Sequence, residues 1–107
     1  DSEEIPFKIE TLINLGIALN ELITNSFKHA FQADSVDPQI KISLHRIENQ
    51  TFKLEYKDNG IGFSEENHKS SFGMELIDTI ISNYDGIVEY SSEKDWNTVI
   101  LITFTEE

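Results

Sequence analysis

Asn20-Glu21-Leu22-Ile23-Thr24-Asn25-Ser26-Phe27-Lys28-His29 is the first stretch of this chain whose side chains could do chemistry. Glu21, Asn25 and Lys28 stand at i, i+4 and i+7, so a helix sets them on one face, opposite a leucine stripe. Asn offers a neutral oxygen to a hard cation such as Mg²⁺. Lys offers a point charge to phosphate, and Glu can orient or deprotonate a nucleophile. The same three residues would also make an ordinary solvated face. A second group, Asp58-Asn59-Gly60-Ile61-Gly62, interrupts a strand pattern. Its two glycines let backbone approach a flat ligand closely, and Asp58 can accept a hydrogen bond from an exocyclic amine. The plain alternative is a hairpin turn, because Asn-Gly favours positive φ, but strand alternation does not resume after it. An EF-hand loop also begins with Asp, yet its closing acid would fall at Lys69, so that reading fails. The third group is Ser70-Ser71-Phe72-Gly73-Met74-Glu75-Leu76, at the start of a predicted helix. The free N–H groups of a helix start bind anions. Gly73 in that first turn costs about 1 kcal/mol against Ala, unless backbone access is needed there. A Ser71 cap after a flexible loop is the alternative.

Other chemistries are excluded or unsupported. No G-x-x-x-x-G-K-[ST] is present, and no G-x-G-x-x-G follows a strand, so neither a P-loop nor a Rossmann site is supported. His29, His45 and His68 fall on a helix, a strand and a loop, without metal-ligand spacing. No G-x-S-x-G elbow activates a serine. The absence of cysteine removes disulfides and thiolate metal sites and fits a reducing compartment.

The elements that position these groups come from hydrophobic periodicity. Ile5, Phe7 and Ile9 alternate as a short edge strand with Pro6. Thr11 can cap the next helix, whose Leu12, Leu15, Leu19, Leu22 and Ile23 recur at spacings of three and four to about Ala30. Ile40, Ile42 and Leu44 alternate on one strand, Glu48-Asn49-Gln50 turns the chain, and Phe52, Leu54 and Tyr56 alternate on the return. Met74, Leu76, Ile77, Ile80 and Ile81 mark a second helix, ended near Asp85-Gly86, where Gly suits the left-handed position. Ile87 to Tyr90 and Thr98 to Phe104 form a last hairpin around Glu93-Lys94-Asp95. The predicted order is β-α-β-β-α-β-β. This is an α+β fold, a two-layer sandwich whose mixed, mostly antiparallel sheet carries its helices on one face.

Size and charge bound the rest. The 107 residues suit one domain, spanning 1–107, and the 38% hydrophobic content with 11 aromatic residues argues against disorder. Twenty acids against eight bases give a net charge of −12. Duplex nucleic acid demands a basic footprint, so no nucleic-acid partner is expected. The acidity is uneven: residues 61–107 hold ten acids and two lysines, a net of −8, and residues 1–60 hold ten acids and six bases, a net of −4. A polyanionic ligand is therefore expected only where a cation and local donors screen it. No apolar run is long enough to span a bilayer and the N-terminus lacks signal-peptide features, so no direct membrane contact is expected. The start at Asp1 rather than Met suggests part of a longer protein.

Each motif is weak singly, but their order is not. The sequence resembles the ATP-binding catalytic domain of sensor histidine kinases, of the superfamily with gyrase, Hsp90 and MutL, and is most similar to the short-lid histidine kinase subfamily. The resemblance rests on Ile5-Pro6-Phe7, Leu19 to Ser26, Lys28-His29-Ala30-Phe31, Asp58-Asn59-Gly60-Ile61-Gly62-Phe63 and Thr98 to Phe104. It implies the Bergerat-type ATP-binding fold, with ATP and Mg²⁺ as cofactors. It gives Asn25 the Mg²⁺ that bridges the phosphates and Asp58 the adenine amine. Gly60 and Gly62, with Phe63 beside them, approach the base, and Thr98 reaches adenine directly or through water. Lys28 contacts phosphate, with His29 beside it, and the backbone around Ser71, Gly73 and Met74 offers donors to the phosphates. Glu21 stands where ATPase relatives keep a general base, and in a kinase it would polarise the accepting histidine.

Three features depart from the family pattern: Gly73 is the only glycine in place before the second helix, Phe63 to Phe72 leaves ten residues for a lid, and Asn97 replaces the usual Gly before the strand threonine. The implied reaction is transfer of the γ-phosphoryl of ATP to a histidine. None of the three histidines has the setting of an acceptor, so the acceptor is expected on a dimerisation domain upstream of Asp1. A response regulator receiver domain would follow in the pathway, and the domain would be cytoplasmic even if its parent is membrane-bound. The isolated domain is expected to bind MgATP weakly to moderately and to turn it over very slowly. The alternatives are a serine-kinase partner-switch protein of the same fold, of the anti-sigma-factor type, and a degenerate binding module without nucleotide.

Overall fold

The computed structural model describes residues 7–30, 37–60 and 72–106, with the backbone alone for 29–30 and 72–74. Helix α1 runs Ile9–Asn25 and passes directly into a π-helical turn, Ser26–Ala30. Strands β1 (Ile40–Glu48) and β2 (Thr51–Asp58) follow, then helix α2 (Phe72–Ser82) and strands β3 (Ile87–Glu93) and β4 (Trp96–Thr105). Among the described residues the sheet has the order β1-β2-β4-β3, and every pairing in it is antiparallel. Both helices pack on one face of it, as expected of the two-layer fold.

The core explains the layering. Phe52, Leu54 and Tyr56 of β2 alternate inward and meet Phe104, Ile102 and Ile100 of β4 as direct cross-strand partners. Leu15, Ala18 and Leu22 of α1 and Ile77, Ile80 and Ile81 of α2 close over them. Phenyl rings fill one end of this core: Phe7 meets Phe52 edge-on at 4.7 Å, and Phe52 and Phe104 lie 5.7 Å apart. The alternation continues past Tyr56 to Asp58, which is only 2% exposed and faces Thr98, 4% exposed, across the strand pair. The core is therefore apolar at one end and polar at the other.

Four local expectations change. Ile9 begins α1 rather than ending a strand, and residues 1–6 lie outside the described residues. Thr11 does not cap the helix. It is buried, Lys8 holds the cap position without a side-chain cap, and the Glu106 carboxylate accepts the Lys8 N–H at 3.0 Å, close to the positive end of the helix dipole. Leu12 is half exposed, not part of the buried stripe, because the N-terminal part of α1 carries a second apolar side, with Ile9, Ile13 and Ile17 also exposed. The left-handed residue after α2 is Asp85, with φ of 53°, not Gly86. The Gly86 N–H bonds to Ile81 O and the Asp85 N–H to Ser82 O, the paired bonds of a Schellman cap. Gly86 is required for closeness: a Cβ there would stand 2.8 Å from Ile81 O and 2.9 Å from Thr103 O.

Candidate functional site

The polar end of the core gathers residues from three elements. Asp58 ends β2, Thr98 lies opposite on β4, and Ser26 comes from the junction of α1 with the π turn. Ser26 is 2% exposed, and its hydroxyl donates to Asp58 Oδ2 at 2.7 Å. The other carboxylate oxygen, Oδ1, accepts the Gly60 N–H at 3.0 Å. Behind Ser26 lies the Tyr56 hydroxyl, 2.5 Å from Ser26 Oγ and 3.1 Å from the Leu22 carbonyl. Burial pushes the Tyr56 phenol up to about 12; the Ser26 hydrogen bond opposes that rise and the Asp58 charge adds to it. A buried carboxylate is tolerable only when hydrogen-bonded, and Ser26 and Gly60 supply one donor to each oxygen.

Two amides brace the surrounding loop. Asn97 Nδ2 donates to the Gly60 carbonyl at 2.6 Å, which ties the glycine segment to the start of β4. Asn59 Oδ1 accepts the Gln39 N–H at 2.7 Å, and its Nδ2 donates to the Asp37 carbonyl at 3.0 Å. Asn59 thus fastens the approach to β1 onto the end of β2.

The sequence-selected residues fall into three groups. Asp58, Gly60 and Thr98 are brought together. Asn25 ends α1, half-buried and next to Ser26, and Glu21 lies one turn earlier, also half-buried. Lys28 is exposed, and it and His29 sit in the π turn. The run is helical to Ala30 as expected, but the wider π turn does not keep the α-helical i, i+7 alignment of Lys28 with Glu21. Gly73 and Met74 lie in the first turn of α2. Gly62, Phe63 and Ser71 lie outside the described residues. Sequence reasoning passed over Ser26, Tyr56 and Asn59, and treated Asn97 only as a missing glycine. Two signals were available: Tyr56 shares the inward register of Asp58, and Ser26 follows the singled-out Asn25.

A short strand pair ending in a buried Asp, under a helix that delivers Asn and Ser, on a sheet covered on one face, defines a class. Residues 11–107 match the family described as histidine kinase-, DNA gyrase B-, and HSP90-like ATPase, and the chain belongs to that family. It is an ATP-binding domain of that superfamily. Among curated proteins it is similar to the serine-protein kinase RsbW of Listeria innocua serovar 6a, 37% identical over 67 residues, which are 63% of this chain and 41% of the relative. It is also similar to one subunit of the type 2 DNA topoisomerase 6 of Methanothermobacter thermautotrophicus, 45% identical over 53 residues, 50% of this chain and 10% of that protein. The fold resembles the histidine kinase domain of the Erythrobacter litoralis EL346 blue-light activated histidine kinase, with a TM-score of 0.80 and 16% identity, over 96% of this chain and 48% of that one. The chain thus spans less than half the length of these relatives. Among the described residues no helix is long and apolar enough to cross a membrane.

Proposed function

We propose that this chain is the catalytic domain of a two-component sensor histidine kinase, which binds MgATP and donates the γ-phosphoryl to a histidine on a separate dimerisation domain. The observation that carries the reading is the convergence of Asp58, Thr98 and the Asn25-Ser26 helix end at one polar end of the core. In this reading Asp58 accepts the adenine amine, Thr98 reaches the ring, and the backbone of Gly60 and Gly62 admits the base, with Phe63 alongside. Lys28, His29 and the N–H groups around Ser71, Gly73 and Met74 take the phosphates. Glu21 polarises the accepting imidazole. The P–N bond to that imidazole forms as the P–O bond to the departing ADP breaks. Transfer of this kind needs positioning and charge neutralisation more than covalent help.

The residues fit Mg²⁺ in a particular way. No group of three His, Cys, Asp or Glu among the described residues could cage a metal. Asn25 offers one amide oxygen at a half-buried helix end. That suits an ion that keeps several waters and takes its remaining ligands from nucleotide phosphates. Mg²⁺ would there neutralise phosphate charge. At high ionic strength, where whole-molecule repulsion is screened, Asn25→Ala should abolish the gain in ATP-analogue affinity on adding Mg²⁺, measured by calorimetry.

The similarity to a serine-protein kinase supports a second reading, a partner-switch kinase that phosphorylates a serine on an antagonist protein. Phosphotransfer separates the two. The chain is incubated with radiolabelled MgATP and, in parallel, with a histidine-bearing dimerisation hairpin or a serine-bearing antagonist. Acid-labile, alkali-stable label on the hairpin is the expected result. Acid-stable label on the antagonist alone would replace the first reading by the second.

A further inference from the structure

The contacts behind Asp58 raise a question of proton count. Three oxygen–oxygen links run in series, from Leu22 O to Tyr56 Oη, on to Ser26 Oγ and on to Asp58 Oδ2. Two hydroxyl protons serve them when Asp58 is a carboxylate. The Leu22 carbonyl already accepts the Ser26 backbone N–H, so it is satisfied without the phenol. An ionised carboxylate can only accept. The Ser26 proton therefore goes to Asp58, and the Tyr56 proton is free to go to Ser26 Oγ. The raised Tyr56 phenol stays protonated, and so a donor, throughout the neutral range. All three side chains are at most 2% exposed, so water does not replace a missing donor.

We propose that Ser26 and Tyr56 are positioning residues for base selection: their hydroxyls form a one-way relay that holds Asp58 as an acceptor-only carboxylate, which selects a purine bearing an exocyclic amine over one bearing a keto oxygen. The inference rests on the reading of Asp58 as the adenine contact. Charge-assisted hydrogen bonds from Ser26 and Gly60 fix the carboxylate plane from both oxygens, leaving only acceptor directions for a ligand. Without the Ser26 hydroxyl, Oδ2 is a buried acceptor without its partner. The carboxyl then gains by turning toward another donor, and that change weakens its preference for an amine.

The test is equilibrium binding of ADP and of inosine 5′-diphosphate, both with Mg²⁺, to the 107-residue chain and its variants. The readout is the ratio of the two affinities on one preparation, which a fraction of unfolded protein does not change. Wild type should prefer ADP. Ser26→Ala should narrow the ratio by about tenfold or more, and Ser26→Thr, which restores a hydroxyl, should recover most of it. Tyr56→Phe should narrow it in the same direction but less, and the Ser26→Ala, Tyr56→Phe pair should be no worse than Ser26→Ala alone. An unchanged ratio in Ser26→Ala would overturn the relay while leaving the adenine site standing. A wild type that binds both diphosphates equally, or neither, would overturn the adenine reading and the relay with it.

Discussion

Replacing Asp58 by Asn tests the proton count most directly, because the structure shows where every hydrogen could go. In the wild type Oδ1 accepts from Gly60 N–H and Oδ2 from Ser26 Oγ. Asn keeps the shape and can keep its oxygen toward Gly60. Its amide nitrogen then donates to Ser26 Oγ, Ser26 donates to Tyr56 Oη, and Tyr56 donates to Leu22 O. All three links are satisfied, in the reverse direction. Exchanging a charge-assisted bond for neutral ones loses about 1 kcal/mol, and relief from burying a charge offsets part of that. The melting temperature should therefore fall by no more than roughly 4–8 °C. Binding should respond very differently. The amine of adenine would meet an amide N–H where it met an acceptor, so it loses a bond of about 1.5–3 kcal/mol and leaves donors unpaired at about 1–3 kcal/mol more. That is at least about sixtyfold weaker binding of an adenine nucleotide, while an inosine nucleotide, whose keto oxygen accepts, should gain. Calorimetric titration with a non-hydrolysable ATP analogue, beside a thermal melt, measures both. Wild-type affinity for the analogue would refute the adenine assignment, and collapse of the fold would refute the reversible network.

Three further outcomes follow from named contacts. Asn97→Ala removes the 2.6 Å bond to the Gly60 carbonyl at an exposed side chain. It should lower nucleotide affinity several-fold, for about 1 kcal/mol, with little change in the melt. Lys28→Ala should weaken ATP binding at low salt while leaving adenosine binding unchanged, since Lys28 is exposed and is assigned to phosphate. Gly86→Ala drives a Cβ into two backbone carbonyls. It should cost about 2–3 kcal/mol, seen as a melting temperature lower by roughly 10–20 °C, whereas nucleotide affinity of the folded protein should hold.

Much of this arrangement was legible in sequence, and the failures have physical causes. The alternation of Phe52, Leu54 and Tyr56 gave both the strand and its inward face, and Asp58 simply occupies the next inward position. Helix α1 was visible, but not its rotation. With Ile9, Leu12, Ile13 and Ile17 on one side and Leu15, Ala18 and Leu22 on the other, periodicity offers two apolar stripes. Packing buried the stripe of Thr11, Leu15, Ala18 and Leu22 and left the other open, although Gly16 lies on that open side. Neither the π turn nor the bond from Ser26 to Asp58, 32 residues later, is reported by anything in a local window. The Schellman cap was misassigned because Asp tolerates the left-handed region well enough to take the place of Gly. Gly86 was then explained by the wrong property.

Net charge and site chemistry are reconciled by where the acids lie. A net charge of −12 opposes a polyphosphate, yet among the described residues the polar end of the core contains one buried acid, Asp58, with both oxygens already engaged. Glu21 is half-buried one turn before Asn25. The remaining described acids, Glu75 in the first turn of α2 among them, lie outside that buried cluster and contribute a long-range field. A field of that kind fades beyond about 10 Å at 0.1 M salt, whereas coordination at Asn25 and the donors near Gly73 would act at contact distance. Dependence on Mg²⁺ therefore has two sources in the proposed site: relief of a screened, whole-molecule repulsion, and a bridge made at one amide. Only the second belongs to Asn25. Raising the salt concentration suppresses the first and leaves the second, and that is why the Asn25→Ala comparison is most informative at high ionic strength, where what survives of the Mg²⁺ effect reports the bridge alone.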